Sequence, residues 1–167
     1  WVPRRPARTG PVINRRYDRR ENGDGKMTRK LILATLAALV AIGSPAMANS
    51  VKIKQYGIGN GAGGVQQGWK NKIGIHQDGY FNGATVNQKG KKNVAAIGQN
   101  GFNNAAQIDQ YGKKNQAGIG QFGSNHTASI DQYGKGNVAA GVQVGDGCSA
   151  GVSQAGTGNV AAFVQAC

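Results

Sequence analysis

The stretch QKGKKNVAAIGQ, residues 88–99, decides the fold, because its pattern recurs from Gln55 to Gln165 with Gln at every eleventh position and without interruption. We number the places of a unit from the residue after one Gln (place 1) to the next Gln (place 11). Place 2 is Gly, and places 5, 7 and 9 are mostly Asn, Ala, and Ile or Val. Two units have His126 and Cys148 where the others have Asn. So regular a short period is typical of a stack of similar small units, and function must be sought in the stack.

Alternate places of the unit are expected to face the same way. Places 5, 7, 9 and 11 share one parity, and in an extended strand residues of one parity line one face. In one unit these residues are Asn104, Ala106, Ile108 and Gln110. The opposite face there is more polar and suits solvent. Residues 111–114 are predicted to form the turn, where Gly accepts a positive φ.

Like amides at like places favour parallel stacking. In parallel strands successive Gln or Asn side chains lie about 4.8 Å apart, so each amide donates to the next and accepts from the last. Buried amides without such partners would cost roughly 1–3 kcal/mol each. The amides expected in the ladders are Gln55, Gln66, Gln77, Gln88, Gln99, Gln110, Gln121, Gln132, Gln143, Gln154, Gln165, Asn49, Asn60, Asn71, Asn82, Asn93, Asn104, Asn115, Asn137 and Asn159. The glycines expected in the turns are Gly57, Gly68, Gly79, Gly90, Gly101, Gly112, Gly123, Gly134, Gly145 and Gly156.

The expected fold is all-β, a flattened parallel β-solenoid of about five and a half rungs. Each rung contains two strands and so spans two repeat units. Asn49, Val51 and Ile53 extend the inward pattern back by one strand, which makes eleven strands. Evenly spaced short strands also occur in antiparallel sandwiches and barrels. Antiparallel pairing would set place 5 of one strand against place 11 of its neighbour. It would not require the same residue type at the same place in every unit, so the repeats argue against it. The thin core depends on stacking between neighbours, and both ends expose unpaired strand edges.

The segment before the repeats differs in composition, and we divide the chain into three parts. Residues 1–26 are rich in Arg and Pro; we interpret them as a non-native or disordered basic leader, or as the basic arm of an unusually long signal. Residues 27–48 are typical of a signal peptide, with a basic start, an apolar run and a small-residue cleavage motif. Residues 49–167 form the repeat segment, with ten Lys against four Asp, a net charge of +6. This segment has no Leu and is too short and Gly-rich for an ordinary globular core.

The pattern Q-x-G-x-x-N-x-A-x-x-x-Q, present at residues 88–99 and 132–143, resembles the curlin repeat, and such units cover residues 49–167. The resemblance implies a secreted bacterial subunit that crosses the periplasm and leaves through a dedicated outer-membrane pore. Such subunits assemble with copies of themselves and with other curlin subunits into curli, the functional amyloid fibre of biofilm matrix and cell adhesion. The resemblance implies no catalysis and no cofactor.

Curlins include a bulk fibre subunit and a surface-associated nucleator. The A-x-I-x-Q runs at residues 95–99 and 128–132, the basic balance and the uniform spacing are similar to the nucleator's repeats. The alternating Ser-led strand of the bulk subunit is largely missing. Both roles remain open, because distant curlins mix these features.

The two cysteines fall in turns at the same end of the solenoid, one rung apart. A rung spacing near 4.8 Å lies within the range of about 4.4–6.8 Å that a disulfide requires between Cα atoms, and an oxidising compartment permits the bond. We therefore expect a disulfide between Cys148 and Cys167, with free or intermolecular thiols as the alternative. Metal binding is not expected, since two Cys and a distant His126 form no ligand cluster.

Outward residues suggest further properties. Asp109 and Asp131 share one outward column, where like charges could slow polymerisation or simply aid solubility. His126 is interpreted as a ladder substitution and His76 as a surface residue. Basic turns beside aromatic residues could attract DNA or an anionic matrix polymer; a solvated charged edge is the alternative. These turn residues are Lys91, Lys92, Lys113, Lys114, Lys135, Tyr111 and Tyr133.

Other classes of function fit the repeats less well. No Ser, His and Asp recur at catalytic spacing, and residues 57–64 lack the Lys-Ser/Thr ending of a phosphate loop. A soluble monomeric β-solenoid that binds glycan or ice through one face would need a regular outward array such as repeated Thr, and the outward places vary. A basic nucleic-acid-binding module would show a recognisable fold motif, which is absent from the sequence.

Overall fold

The computed structural model describes residues 48–167, and this part of the chain consists of β-strands joined by tight corners. The predicted leader, 1–26, and the predicted signal peptide, 27–48, lie outside the described residues apart from Ala48. The strands are β1 (Ser50–Ile58), β2 (Gly61–Trp69), β3 (Lys72–Tyr80), β4 (Gly83–Lys91), β5 (Val94–Phe102), β6 (Ala105–Lys113), β7 (Gln116–Ser124), β8 (Thr127–Lys135), β9 (Val138–Asp146), β10 (Ser149–Thr157) and β11 (Val160–Ala166).

Parallel pairing of alternate strands builds the molecule. The odd-numbered strands form a six-stranded sheet and the even-numbered strands a five-stranded sheet, each in sequence order. Every pair is in a register of two repeat units, so that Gln88 lies beside Gln110 and Asp109 beside Asp131. The prediction of a parallel β-solenoid with two strands in each rung is confirmed.

The strands are longer and the corners tighter than the sequence predicts. A turn is predicted at residues 111–114, but Tyr111, Gly112 and Lys113 continue β6 and pair with β8. Gly112, at φ +125°, lets the strand bend while it remains in the sheet. The corner is closed where the Lys114 amide donates to the Lys91 carbonyl at 2.9 Å. The predicted boundary is wrong because the bend does not interrupt backbone pairing.

A thin apolar core lies between the two sheets. It contains the residues of place 7, which are Ala except for Ile73, and the Ile or Val residues of place 9. Ile108 and Ile130 are fully buried, and burying a side chain of this size contributes about 1.5–3 kcal/mol. The end strands have a neighbour on one side, so Val51 remains 49% exposed. Between residues 48 and 167 the chain forms no helix with the length and hydropathy of a membrane crossing.

Candidate functional site: the amide ladders and the open ends

Two continuous chains of glutamine side chains run through the solenoid. Along each chain the Nε2 of one Gln donates to the Oε1 of the Gln one rung later, at 2.7–2.9 Å. The interior members are buried. One chain is Gln55, Gln77, Gln99, Gln121, Gln143 and Gln165; the other is Gln66, Gln88, Gln110, Gln132 and Gln154.

From Gln66 onward, the second amide hydrogen of each Gln ties the two sheets together. Gln110 on β6 donates to the carbonyl of Val94 on β5 at 3.0 Å. Gln99 on β5 donates in turn to the carbonyl of Gly83 on β4 at 2.9 Å. An interior Gln thus uses both N–H groups and its oxygen, and a buried amide with all its polar atoms paired costs little to desolvate. The ladders are therefore satisfied within the solenoid except at its ends.

The asparagines stack in columns but make different contacts from those expected. The Oδ1 of Asn93 accepts the backbone N–H of Asn115 at 3.1 Å, and its Nδ2 donates to the Gly112 carbonyl at 3.2 Å. Side-chain-to-side-chain donation in these columns is recorded from Asn104 to Asn82, at 3.1 Å. Asn is one methylene shorter than Gln and sits at the corner, where backbone groups come within its reach. The Asn columns therefore lock the corners rather than form a second kind of amide chain.

His126 takes an Asn place and reproduces two of the three contacts that an interior Asn such as Asn115 makes. Its Nδ1 accepts the backbone N–H of Cys148 at 3.2 Å, and its Nε2 lies 3.2 Å from the Phe122 carbonyl. With the proton on Nε2, the ring supplies one acceptor and one donor, whereas the Asn amide has a second N–H that donates to the glycine carbonyl of the next rung. The ring is fully buried, which fits a ladder substitution. His76 lies exposed, with its ring centroid 5.7 Å from that of Tyr56.

A disulfide joins Cys148 to Cys167, with the Cα atoms 5.7 Å apart. It links the residue before β10 to the residue after β11, and so fastens the last strand to the rung before it. Cross-linking two residues 19 apart restricts the unfolded chain, which is worth about 3 kcal/mol in the chain-entropy account.

The glycines of place 2 form a close-packed column at each corner, and all ten have a positive φ. A Cβ built on Gly112 would overlap the carbonyl oxygen of Gly134 in the next rung. Glycine is therefore required there both by backbone conformation and by space.

The ladders have a direction, which leaves different groups at the two ends. Every Gln amide in a ladder donates towards the C-terminal rungs. Within residues 48–167, Gln55 and Gln66 are the first members and receive no amide from another Gln. Gln154 and Gln165 are the last members, and their amides donate to backbone carbonyls only. One end of the solenoid thus offers Gln acceptors and the other end offers Gln donors.

Two carboxylates lie side by side on the outer face of the five-stranded sheet. Asp109 is paired with Asp131, and it accepts amide hydrogens from Asn87 at 2.7 Å and Gln107 at 2.6 Å. Burial, and then the charge of Asp109, raise the pKa of Asp131 above its ordinary value of 3.8. The ionised pair therefore costs the folded chain free energy at neutral pH.

This pair predicts a pH dependence of stability. The folded chain holds the Asp131 proton more tightly than the unfolded chain does. Stability should therefore rise as the pH falls from neutral through the raised pKa, and the gain should be complete below 3.8. Asp131→Asn should remove this dependence and raise the denaturant midpoint at neutral pH. Asp78→Asn removes the same charge from another column, and an equal gain from both variants would instead indicate an effect of net charge.

Sequence reasoning missed the contacts of Trp69. The Nζ atoms of Lys70 and Lys91 lie 4.6 Å and 5.7 Å from the centroid of its ring. The Trp69 Nε1 is buried and has no hydrogen-bond partner. The signal is present in the sequence, since Trp69 lies two repeat units before Lys91 and the register therefore sets the two side by side.

The repeats match a known family. The family model of the curlin associated repeat matches the chain three times, at residues 82–112, 103–134 and 127–156. These matches run from β4 to β10 and include the interior of both Gln ladders. No curated protein matches the chain. Among the residues that the structure describes, no group of three or more His, Cys, Asp and Glu side chains could hold a metal ion.

Proposed function

The chain belongs to the curlin family, and from that premise we propose that it is a structural subunit that self-assembles into extracellular amyloid fibres. The observation that carries this proposal is the direction of the Gln ladders, which leaves complementary groups at the two open ends. The activity is association rather than catalysis, and it requires no cofactor.

The open ends support growth by addition of a second copy of the chain. Gln55 and Gln66 offer acceptor oxygens at one end, while Gln154 and Gln165 offer donors at the other. The strand edges at both ends carry backbone groups that can template a further strand. A docked copy would continue the ladders with the same spacing of about 4.8 Å. Each junction would then be held by the contacts that hold successive rungs together within one chain.

We propose that these fibres form at the surface of a bacterial cell and contribute to biofilm matrix and adhesion. The signal-like residues 27–48 support export to the periplasm, and the family resemblance supports passage through a curli secretion pore and contact with other curlin subunits. The A-x-I-x-Q runs at residues 95–99 and 128–132 support a role as nucleator.

A monomer that binds glycan or ice through a flat face is the rival function. The outer face of the five-stranded sheet has a shallow trough lined by small residues, among them Gly61, Gly83, Ala105 and Thr127. The neighbouring outward column holds four different residues, Gly63, Thr85, Gln107 and Ser129. A periodic ligand would meet a different group of this column in every rung, so the trough does not provide the regular array that this rival needs.

We expect the purified chain to form fibres that bind thioflavin and diffract with a meridional spacing of about 4.7–4.8 Å. Addition of preformed fibres should remove the lag phase, because the fibres supply ready ends. Fluorescence kinetics, electron microscopy and fibre diffraction measure these properties. A chain that stays monomeric, or fibres with antiparallel strands, would contradict the proposal. Seeding a bulk curlin subunit with these fibres tests the nucleator role, which predicts a shorter lag for that subunit.

A further inference from the structure

We propose that each copy of the chain docks on the next after a half-turn about the fibre axis, so that β10 pairs with β1 of the next copy and β11 pairs with β2. The partner is a second copy of this chain, held in one defined register. This inference rests on the proposed function, because it specifies how the two open ends meet in a fibre. Its starting point is the odd number of strands, six in one sheet and five in the other.

An odd number of strands places both ends of the chain in the same sheet. The six-stranded sheet begins with β1 and finishes with β11. In a continuous solenoid the strand after β11 would lie in the other sheet, beside β10. If β1 of the next copy takes that position, the copy is turned by half a revolution and both sheets continue without a break. An unrotated copy would set β1 on β11 and leave the position beside β10 empty, with backbone groups unpaired.

The half-turn also supplies a contact between sheets that the first glutamine lacks. Each Gln from Gln66 onward donates to the carbonyl of the residue that begins the preceding strand. Within residues 48–167, Gln55 makes no such contact, since β1 is the first strand. Val160 begins β11, so its carbonyl is the next acceptor of this series. In the half-turn junction β11 directly precedes β1 of the next copy, and Gln55 of that copy can donate to Val160. In the unrotated arrangement these two residues share one sheet and cannot make this contact.

The sizes of the residues at place 9 fit this junction. Place 9 is Ile or Val except for Gly64, Gly141 and Phe163. Phe163 packs over Gly141, where an added Cβ would overlap its ring. The half-turn sets Gly64 of the next copy on the other side of Phe163, so that the largest residue of the column lies between two glycines. Gly64 makes room for Ile73 within its own chain as well. Unrotated, Ile53 would lie against Phe163, and its branched side chain would compete for the room that the ring needs.

The charges on the outer face also favour the half-turn. Place 10 of the five-stranded sheet holds Asp109, Asp131 and Ser153 in that order towards the C-terminal end. The half-turn adds Lys54 of the next copy to this column, two rungs or about 9.6 Å from Asp131. The short Ser153 leaves the long Lys side chain free to lean towards the carboxylates, where its charge offsets their repulsion. Unrotated, Lys54 would lie beside Val164, away from these carboxylates.

The rise and rotation from one subunit to the next test the proposal directly. Eleven strands at two in each rung occupy five and a half rungs, so the half-turn predicts a rise of about 26 Å and a rotation of about 180°. An unrotated junction needs six rungs and predicts a rise of about 29 Å with little rotation. Electron cryo-microscopy of fibres grown from the purified chain measures both quantities. The unrotated values would overturn the half-turn.

Engineered cysteines test the same junction by chemistry. Lys54→Cys combined with Ser153→Cys places two exposed thiols side by side only after a half-turn. Their Cα atoms would be about 4.8 Å apart, which a disulfide can bridge. Lys54→Cys combined with Val164→Cys is the matched control, because these thiols adjoin only in the unrotated arrangement. After mild oxidation and denaturation without reductant, the first pair should give covalent chains of many subunits and the control single chains. Mass spectrometry of the peptides checks that the native bond between Cys148 and Cys167 is intact.

Charge reversal tests the placement of Lys54. Lys54→Glu should slow fibre growth severalfold more than Lys52→Glu, because the half-turn sets the former beside carboxylates and the latter beside the uncharged Ser129 and Gly151. Both lysines are exposed on β1, so the two variants have the same net charge and the same strand. Adding Asp131→Asn to each variant should remove most of the difference. Equal slowing by both variants would overturn the half-turn.

The outcomes distinguish this inference from the proposed function. Fibres in which the control pair cross-links, or in which neither pair does, would overturn the half-turn while the proposed function stands. A chain that forms no fibres would overturn the proposed function, and the junction would fall with it.

Discussion

Replacing Gln110 by Ala is expected to lower the free energy of unfolding by roughly 3–5 kcal/mol and to prevent fibre growth or delay it severalfold. Gln110 is fully buried and lies inside a ladder. Its oxygen accepts the Gln88 amide at 2.7 Å, and its Nε2 donates to Gln132 at 2.8 Å and to the Val94 carbonyl at 3.0 Å. The variant leaves three buried groups without their partner, and each such group costs roughly 1–3 kcal/mol. Denaturant unfolding and thioflavin lag times measure the two effects.

Gln107→Ala is the matched control for this prediction. Gln107 lies on the same strand as Gln110 but faces outward and is exposed. Its side chain donates to Asp109 at 2.6 Å, and an exposed contact of this kind changes stability by only about 0.5 kcal/mol or less. Similar losses from both substitutions would show that Gln content, rather than the ladder, sets stability and fibre growth.

The ladder was accessible from sequence because the repeat period is odd while the strand repeat is two. Along one straight strand, residues eleven apart would therefore face opposite ways. Like places of successive units all face the core only if the chain reverses direction after each unit, which places alternate units in opposite sheets. Gln88 and Gln110, which are separated by two units, must then share a column. The thin core follows from the same counting, since Ala106 and Ile108 have the parity of Gln110. A pattern that repeats so often leaves little freedom in the register.

The corners were less accessible because their details depend on where the backbone bends. The sequence marks Gly112 as a turn residue, yet the strand continues through it to Lys113. The bend at the corner places the carbonyl groups of Lys89 and Gly112 beside Asn93. The Asn93 side chain therefore donates to backbone rather than to another amide side chain. Residue type alone did not reveal this choice, since Asn and Gln carry the same functional group. The spacing of Trp69 and Lys91 was visible in the sequence, but its significance required the register.

Replacing Gly112 by Ala is expected to destabilise the solenoid by roughly 3–5 kcal/mol and to abolish its assembly. Gly112 has a φ of +125°, which an L residue with a side chain rarely adopts. The added Cβ would also overlap the Gly134 carbonyl oxygen, and backbone cannot move aside as a flexible side chain can. Relief requires β6 and β8 to separate at the corner, which breaks the pairing that the Gln ladder needs. The whole stability of a domain is about 5–15 kcal/mol, so one methyl group should remove a large share of it.

Gly118→Ala provides the comparison, because it adds the same methyl group in the middle of a strand. Gly118 lies on β7, and a Cβ built there would meet no atom within 4 Å. We expect no loss of stability and a gain of up to about 1 kcal/mol, since Ala has fewer conformations than Gly in the unfolded chain. Circular dichroism during denaturant unfolding, followed by thioflavin kinetics, distinguishes the two variants. If Gly112→Ala folded and assembled as well as Gly118→Ala, the rungs at the corner would have to be further apart than the close packing of the glycine column requires. Continuous stacking from one copy to the next would then lose its physical basis.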